Sequence, residues 1–250
     1  MKKNLRTFIA LIIVVSFSQL TPLYAQPSLD IETGFVTAGY NDVRIPGDQG
    51  TLFSLTDDLL SSSSFFVRLK AEYKIRERHN LSLLYAPLSV KSDGHLPYDV
   101  SFAGKVFPAD STLYAIYKFN SYRLTYRYDI VLKPKVEFGL GLTAKIRDAA
   151  ISLSSPGYFA EKTNVGFVPI INFRLLLNMD ERLSFLLEGD ALAAPQGRAE
   201  DILFAVRYKL TDQVLMRVGY RLLEGGADND EVYNFSMFHY GSLGFTYCFR

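Results

Sequence analysis

Three groups of side chains in this 250-residue chain have types and spacings that could do chemistry. His239 has Ser236 and Ser242 close by, the parts of a serine nucleophile activated by an imidazole base. Asp93-Gly94-His95 offers an aspartate–histidine pair that could activate a water molecule, and Asp57-Asp58 is the adjacent-acid segment that could face it. Asp228, Asp230 and Glu231 gather oxygens of the kind that hold a hard cation such as calcium. None of these is specific. Ser236 and His239 have opposite parity in an extended chain, so they project to opposite faces. The expected partners of His239 are then Tyr240 or a loop carboxylate. Two-residue matches arise by chance, and an acidic loop is ordinarily a solvated one. The sequence therefore assigns no catalytic residue, no cofactor and no metal ligand, and the reading leans away from an enzyme.

Composition limits what positions these groups. Hydrophobic residues make up 48% and aromatics 14%, with 19 Phe, 16 Tyr and no Trp. That load excludes a disordered chain. Lys and Arg number 27 against 26 acids, so the basic excess a nucleic-acid partner needs is absent. The single cysteine, Cys248, excludes an intramolecular disulfide framework and multi-cysteine metal motifs. So many rings in a chain of near-neutral hydropathy point to a membrane.

Residues 1–25 read as a secretory signal peptide: Lys2, Lys3 and Arg6 precede an apolar run from Phe8 to Phe17, and Leu23-Tyr24-Ala25 supplies a cleavage site. The apolar run is short for a spanning helix. Losing those three bases turns the formal charge from +1 to −2 for residues 26–250.

The remainder has a period of two. Tyr233, Phe235, Met237, Leu243, Phe245, Tyr247 and Phe249 share one parity, and Asn234, Ser236, Ser242, Gly244 and Thr246 share the other. Helices have no use for such alternation; strands do. The same pattern recurs over 64–75, 200–210 and 213–223, and the full set of expected strands is 29–40, 64–75, 80–90, 111–131, 135–147, 163–177, 182–192, 200–210, 213–223 and 232–249. Short turn signals near 76–79, 132–135, 178–181 and 211–213 alternate with longer links at 41–63, 91–110, 147–162, 193–199 and 223–231. Short turns at one end and long loops at the other are the layout of a transmembrane antiparallel up-and-down β-barrel with about ten strands, eight or twelve being the neighbouring even numbers. The fourth strand is long and its pattern slips near Asn120-Ser121, which predicts a bulge or a strand reaching beyond the bilayer.

Cost decides the faces. A midplane Lys or Arg on the lipid side costs about 2–4 kcal/mol, so the charged parity must face the lumen. A soluble ligand-holding barrel would put its charges outside, and a soluble β-sandwich is the other rival. The inward set is centred on Arg68, Glu72, Arg127, Glu188, Asp190, Arg207, Arg217 and Arg221, joined by Asp30, Glu32, Arg123, Asp129, Lys145, Arg174 and Asp201. Cross-strand pairing of Arg207 with Glu188 and Asp190 is expected. Tyr73, Tyr128, Tyr208 and Tyr247 fall near strand ends at the short turns, where an aromatic girdle belongs. Ten strands lie far below the 16–18 that leave an aqueous channel, so long side chains are expected to fill the bore; a narrow path with weak anion preference is the alternative.

On the outer side, segments 194–200 and 224–230 form consecutive links, and Arg198 with Asp228 or Asp230 is expected to brace them or to bind ligand there. Ile45-Pro46-Gly47-Asp48-Gln49-Gly50-Thr51, Phe119 to Tyr128, Ala194 to Ala199 and Leu223 to Asp230 together resemble an uncharacterised group of small bacterial outer-membrane β-barrel proteins. The resemblance covers nearly all of residues 26–250 and implies no activity. Members commonly end on an aromatic, whereas Arg250 follows Phe249 here. The expectation is a monomeric barrel in the outer membrane of a double-membraned bacterium. It would be structural or surface-binding, with membrane lipid and lipopolysaccharide or envelope polymer as partners. An outer-leaflet lipid or protein hydrolase is the second reading.

Overall fold

The computed structural model describes residues 26–194 and 197–249, so the expected signal peptide, Pro195, Gln196 and Arg250 lie outside the described residues. The barrel wall consists of β1 (Gln26–Arg44), β2 (Ser64–Arg76), β3 (His79–Ala86, continued by Ser89–His95), β4 (Thr112–Lys133) and β5 (Val136–Ser155). It continues through β6 (Tyr158–Asn178), β7 (Leu183–Ala194), β8 (Gly197–Lys209), β9 (Val214–Asn229) and β10 (Val232–Cys248). Each strand pairs antiparallel with its neighbours, and β1 pairs with β10 from Ser28↔Cys248 to Arg44↔Tyr233, closing the wall. Closure leaves no edge whose backbone groups would be stranded in lipid. Phe249 fastens the seam: its amide donates to the Pro27 carbonyl at 2.9 Å.

All ten expected strands are present. The outward parity forms an apolar belt that includes Leu29, Ile31, Leu69, Leu83, Leu124, Leu142 and Phe245. Tyr73, Tyr128, Tyr208 and Tyr247 lie on this outer face near the end with the tight turns. Phe35, Phe65, Tyr85 and Tyr122 mark the opposite margin, with Phe35 against Phe65 at 6.0 Å and Tyr85 stacked on Tyr122 at 5.2 Å. Tyr73 and Phe65 are eight residues apart, which on a tilted strand is roughly 20 Å of height, close to the ~25 Å band of such barrels.

Side chains make the inner turns tight. Asp180 Oδ1 accepts from the amides of Arg182 and Leu183 at 2.7 and 2.8 Å, and Thr211 Oγ1 accepts from those of Gln213 and Val214. Asn229 does the same outside for Glu231 and Val232. That last turn belongs to a correction. The links expected at 147–162, 193–199 and 223–231 are mostly strand, and β5 and β6 run on for 20 and 21 residues to meet beyond Ser155. The polar residues that read as loop, such as Ser152, Ser154 and Glu161, decorate a ladder standing clear of the bilayer.

At Asn120-Ser121 the long strand is present and the bulge is not. β4 is 22 residues long and passes this point with no register shift against β5; the irregularity lies between Phe138 and Gly139 instead. Odd-numbered residues face inward from Leu113 to Asp129. What changes is their chemistry: Ser121, Arg123, Thr125, Arg127 and Asp129 below, Leu113, Ala115 and Tyr117 above. The long links at 45–63 and 96–111 close over the apolar upper part. Phe53 and Phe102 meet edge to face at 6.2 Å, Phe102 and Phe107 are fully buried, and Thr51 and Ala103 amides bond to Ser101 and Ile45 carbonyls.

Candidate functional site

The inner half of the lumen is an ion-pair layer. Arg217 on β9 bonds both oxygens of Asp30 on β1 and reaches Glu32 at 3.0 Å. Arg221 reaches the same Glu32 at 2.8 Å and also bonds Asp201 on β8. Asp201 collects two more guanidinium groups, Arg68 at 2.9 Å and Arg123 at 2.6 Å, from the far side of the barrel. Arg123 continues to Asp190 at 2.6 Å, which also accepts from Thr143 and Asn172. Nearer the inner end, Arg127 contacts Glu72 and Asp129, and Glu188 contacts Lys70 at 3.3 Å and Arg174 at 3.8 Å. Small inward residues make room. A Cβ at Gly244 would lie 2.5 Å from Arg217 Cζ, and one at Gly139 would lie 2.6 Å from Asp129 Oδ1. About 60 Å³ of free space remains within the layer.

Seven of the eight residues singled out for the lumen join this layer; Arg207 does not. Arg207 stands opposite Ser184, Glu188 stands opposite Leu203, and Nη1 of Arg207 is buried without a hydrogen-bond partner among the described residues. The expected Arg207–Glu188 and Arg207–Asp190 pairs are replaced by ties that cross the bore. Asp190 takes Arg123 and Glu188 takes Lys70, both from strands remote in sequence.

Above the ion pairs lies a cleft of about 470 Å³, between the wall formed by β4 to β6 and that formed by β8 to β10. Its sides carry Tyr117, Phe119, Ile151, Val168, Leu223 and Phe238, and its polar lining includes Lys145, Arg147, Asn164, Asn234 and Ser236. Tyr117 is held by Ser236 at 3.0 Å, and Asn234 donates to Asn41 and to the Asp42 carbonyl at 3.0 Å each. Arg198 stands at the rim, but its partner is not Asp228 or Asp230. Its Nη2 lies 2.6 Å from Glu224, its Nε is 2.8 Å from both carboxylate oxygens, and its guanidinium covers the Phe235 ring at 5.1 Å. Glu224 also accepts the Tyr40 hydroxyl hydrogen bond. Arg198 stands opposite Gly226, so Glu224 and Asp228 flank it on the same outward parity; Glu224 is the buried one, whereas Asp228 and Asp230 are exposed at the hairpin end. Burial raises the Glu224 pKa, but the bonds from Arg198 and Tyr40 outweigh it and hold the carboxyl below its usual range. Burial and the Glu224 bond push the Tyr40 phenol up.

The three chemical groupings stay apart. His239 Nδ1 shares a hydrogen bond with Tyr220 at 2.5 Å on the outer face, while Ser236 is buried on the inner one. Its partner is thus a tyrosine of the neighbouring strand, not Tyr240 or a loop acid. Leu60 pairs with Asp93, so the acid pair and Asp93-Gly94-His95 are brought to adjacent segments. However, Asp58 caps the Ser54 amide at 2.7 Å, and Asp93 and His95 are exposed. Among the described residues no three His, Cys, Asp or Glu side chains are placed to hold a metal ion.

A closed ten-strand wall, an outward apolar belt with ring-bearing margins and a charged interior define an integral β-barrel of the outer-membrane type, and the protein resides in that membrane. No protein-family model and no curated protein matches the chain. Solved structures do. The fold is similar to that of the outer membrane protease OmpT from Escherichia coli, with a TM-score of 0.58 and 10% identity over 90% of this chain and 97% of that one. Ail, the attachment invasion locus protein of Yersinia pestis, matches with a TM-score of 0.39 and 11% identity over 89% of this chain and 99% of that one. At such identities the likeness is one of fold alone.

Proposed function

We propose that this protein is a surface-binding barrel of a double-membraned bacterium. Residues 1–25 are removed on export, and the single chain contacts membrane lipid with its belt and receives ligand from the outer side. One observation carries the reading: about 470 Å³ of outward space stands above an ion-pair layer with about 60 Å³ left in it. The upper volume falls in the ~300–1,000 Å³ range of small-molecule sites. The lower one suits a buried water or two, not a conducting path. Lipopolysaccharide and envelope polymer lie on the side from which the cleft opens and are the natural surroundings of its rim. The fold shared with a protease carries no role over to this chain; His239 is bonded to Tyr220 and His95 is exposed.

Planar-bilayer recording tests this directly. The purified barrel is expected to insert without stable single-channel steps. Reproducible unitary conductance from the unmodified chain would replace the binding reading with the narrow-channel one.

A further inference from the structure

The cleft has an electrostatic peculiarity. Lys145 faces inward from β5, is 3% exposed and lines the floor of the cleft. Among the described residues its ammonium has no carboxylate within 4 Å and no hydrogen-bond acceptor; its one described contact is the Phe119 ring, 4.8 Å away. A buried ammonium without an anion is expensive, and a ring face offsets only part of that cost. Arg147, two residues along the same inward face, donates to Asn164, and its buried Nε has no partner. The acids of the cleft are committed elsewhere or lie at its edge. Glu224 is held by Arg198, Glu231 by Lys162 at 3.0 Å, and Asp230 is exposed at the hairpin end. Two cations therefore face the cleft with no carboxylate at ion-pair distance, while Asp190 and Asp201 in the layer below are engaged by Arg68, Arg123 and Arg221.

From this juxtaposition we infer that the cleft takes a small amphipathic acid, its anionic head seated against Lys145 and Arg147 and its apolar body along Tyr117, Phe119, Leu223 and Phe238. This rests on the surface-binding reading and adds the ligand's charge and shape to it. The walls suit a flat or flexible hydrocarbon body, and the volume suits one small molecule, not a polymer. A carboxylate, sulfate or phosphate head would meet charge-assisted donors from both side chains.

The test is calorimetric titration of the folded barrel in zwitterionic micelles with 3-phenylpropionate and with its uncharged isostere, 3-phenylpropionamide. The unmodified protein is expected to bind the acid at least tenfold more tightly than the amide. Lys145→Met should abolish that preference and Lys145→Arg should retain it, with heat-modifiable gel migration confirming that each variant folds. Arg147→Gln should reduce the preference without abolishing it. Equal binding of acid and amide by the unmodified chain would overturn the anionic assignment and leave the surface-binding reading standing. Binding of neither probe would overturn both. A preference that survives Lys145→Met would remove Lys145 from the site.

Discussion

Along β4, Arg123, Arg127 and Asp129 face the lumen in the inner half, and Leu113, Ala115 and Tyr117 face it in the outer half. One strand, in unbroken register against β5 from Tyr114 to Asp129, thus serves two interiors. The inner interior is held by paired charges, few of them exposed and several bidentate or shared. The outer one is held by rings and aliphatic side chains under two inward-folded links. The difference teaches where each kind of filling is useful. Buried ion pairs fix geometry rigidly and leave little space, because any unpaired member is costly. Apolar packing tolerates a gap, and the cleft occurs on that side of the boundary.

The comparison breaks most visibly at Asp201, which three guanidinium groups share. Asp201→Ala would leave Arg68, Arg123 and Arg221 short of an anion, and removing one partner of a buried pair costs roughly 3–5 kcal/mol. Urea unfolding of the barrel in lipid vesicles should show a loss of that order; an unchanged midpoint would mean that the layer contributes nothing to stability.

Phe102→Ala probes the other interior. Truncating a buried Phe costs about 3–5 kcal/mol when the cost is global. Phe102 sits on a link, not on the wall, so the loss should be confined there. Limited proteolysis within 96–111 should accelerate while heat-modifiable migration stays unchanged. Collapse of the whole barrel would show that the outer cap is part of the wall's cooperative unit.

Arg198→Ala should have the smallest effect. The residue is half exposed, so its bonds to Glu224 are screened and the expected loss is ~1 kcal/mol or less. The pH dependence gives a sharper readout. The lowered Glu224 pKa contributes stability that is present above the unfolded carboxyl value of about 4.3 and is lost as pH falls through the folded value. The variant and the parent should therefore differ near pH 7 and converge as pH falls through the lowered carboxyl value of the parent. A difference that persists in acid would assign the effect to lost contact with Phe235 instead.

Much of the wall was legible in the chain. Period-two alternation marks strands, and the cost of a lipid-facing charge orients the faces wherever one parity is charged. That argument has no purchase on Leu113 to Tyr117, where both parities are apolar, so the apolar outer interior was not foreseen. Nor can a local pattern reveal cross-bore partners. Arg207 and Glu188 are close in sequence and their pairing was the natural guess, yet Glu188 meets Lys70 across 118 residues. Lys145 was readable as an inward base, but its lack of an anion is a property of three strands at once. The expected partners of Arg198, Asp228 and Asp230, are displaced by Glu224, because only Glu224 of the three is buried beside it.

The ion-pair layer also bears on how the barrel comes to exist. Arg217 and Asp30 are 187 residues apart, and Arg68 and Asp201 are 133 apart. Hairpins can zip up locally, but these partners cannot meet until the last-made strands arrive beside the first. Until then a set of carboxylates and guanidinium groups faces an open trough, where water must solvate them. Meeting of β1 and β10 expels that water and engages the charges together. The same residues that seal the bore thus act as a latch on assembly, resisting a half-closed sheet and rewarding a complete ring.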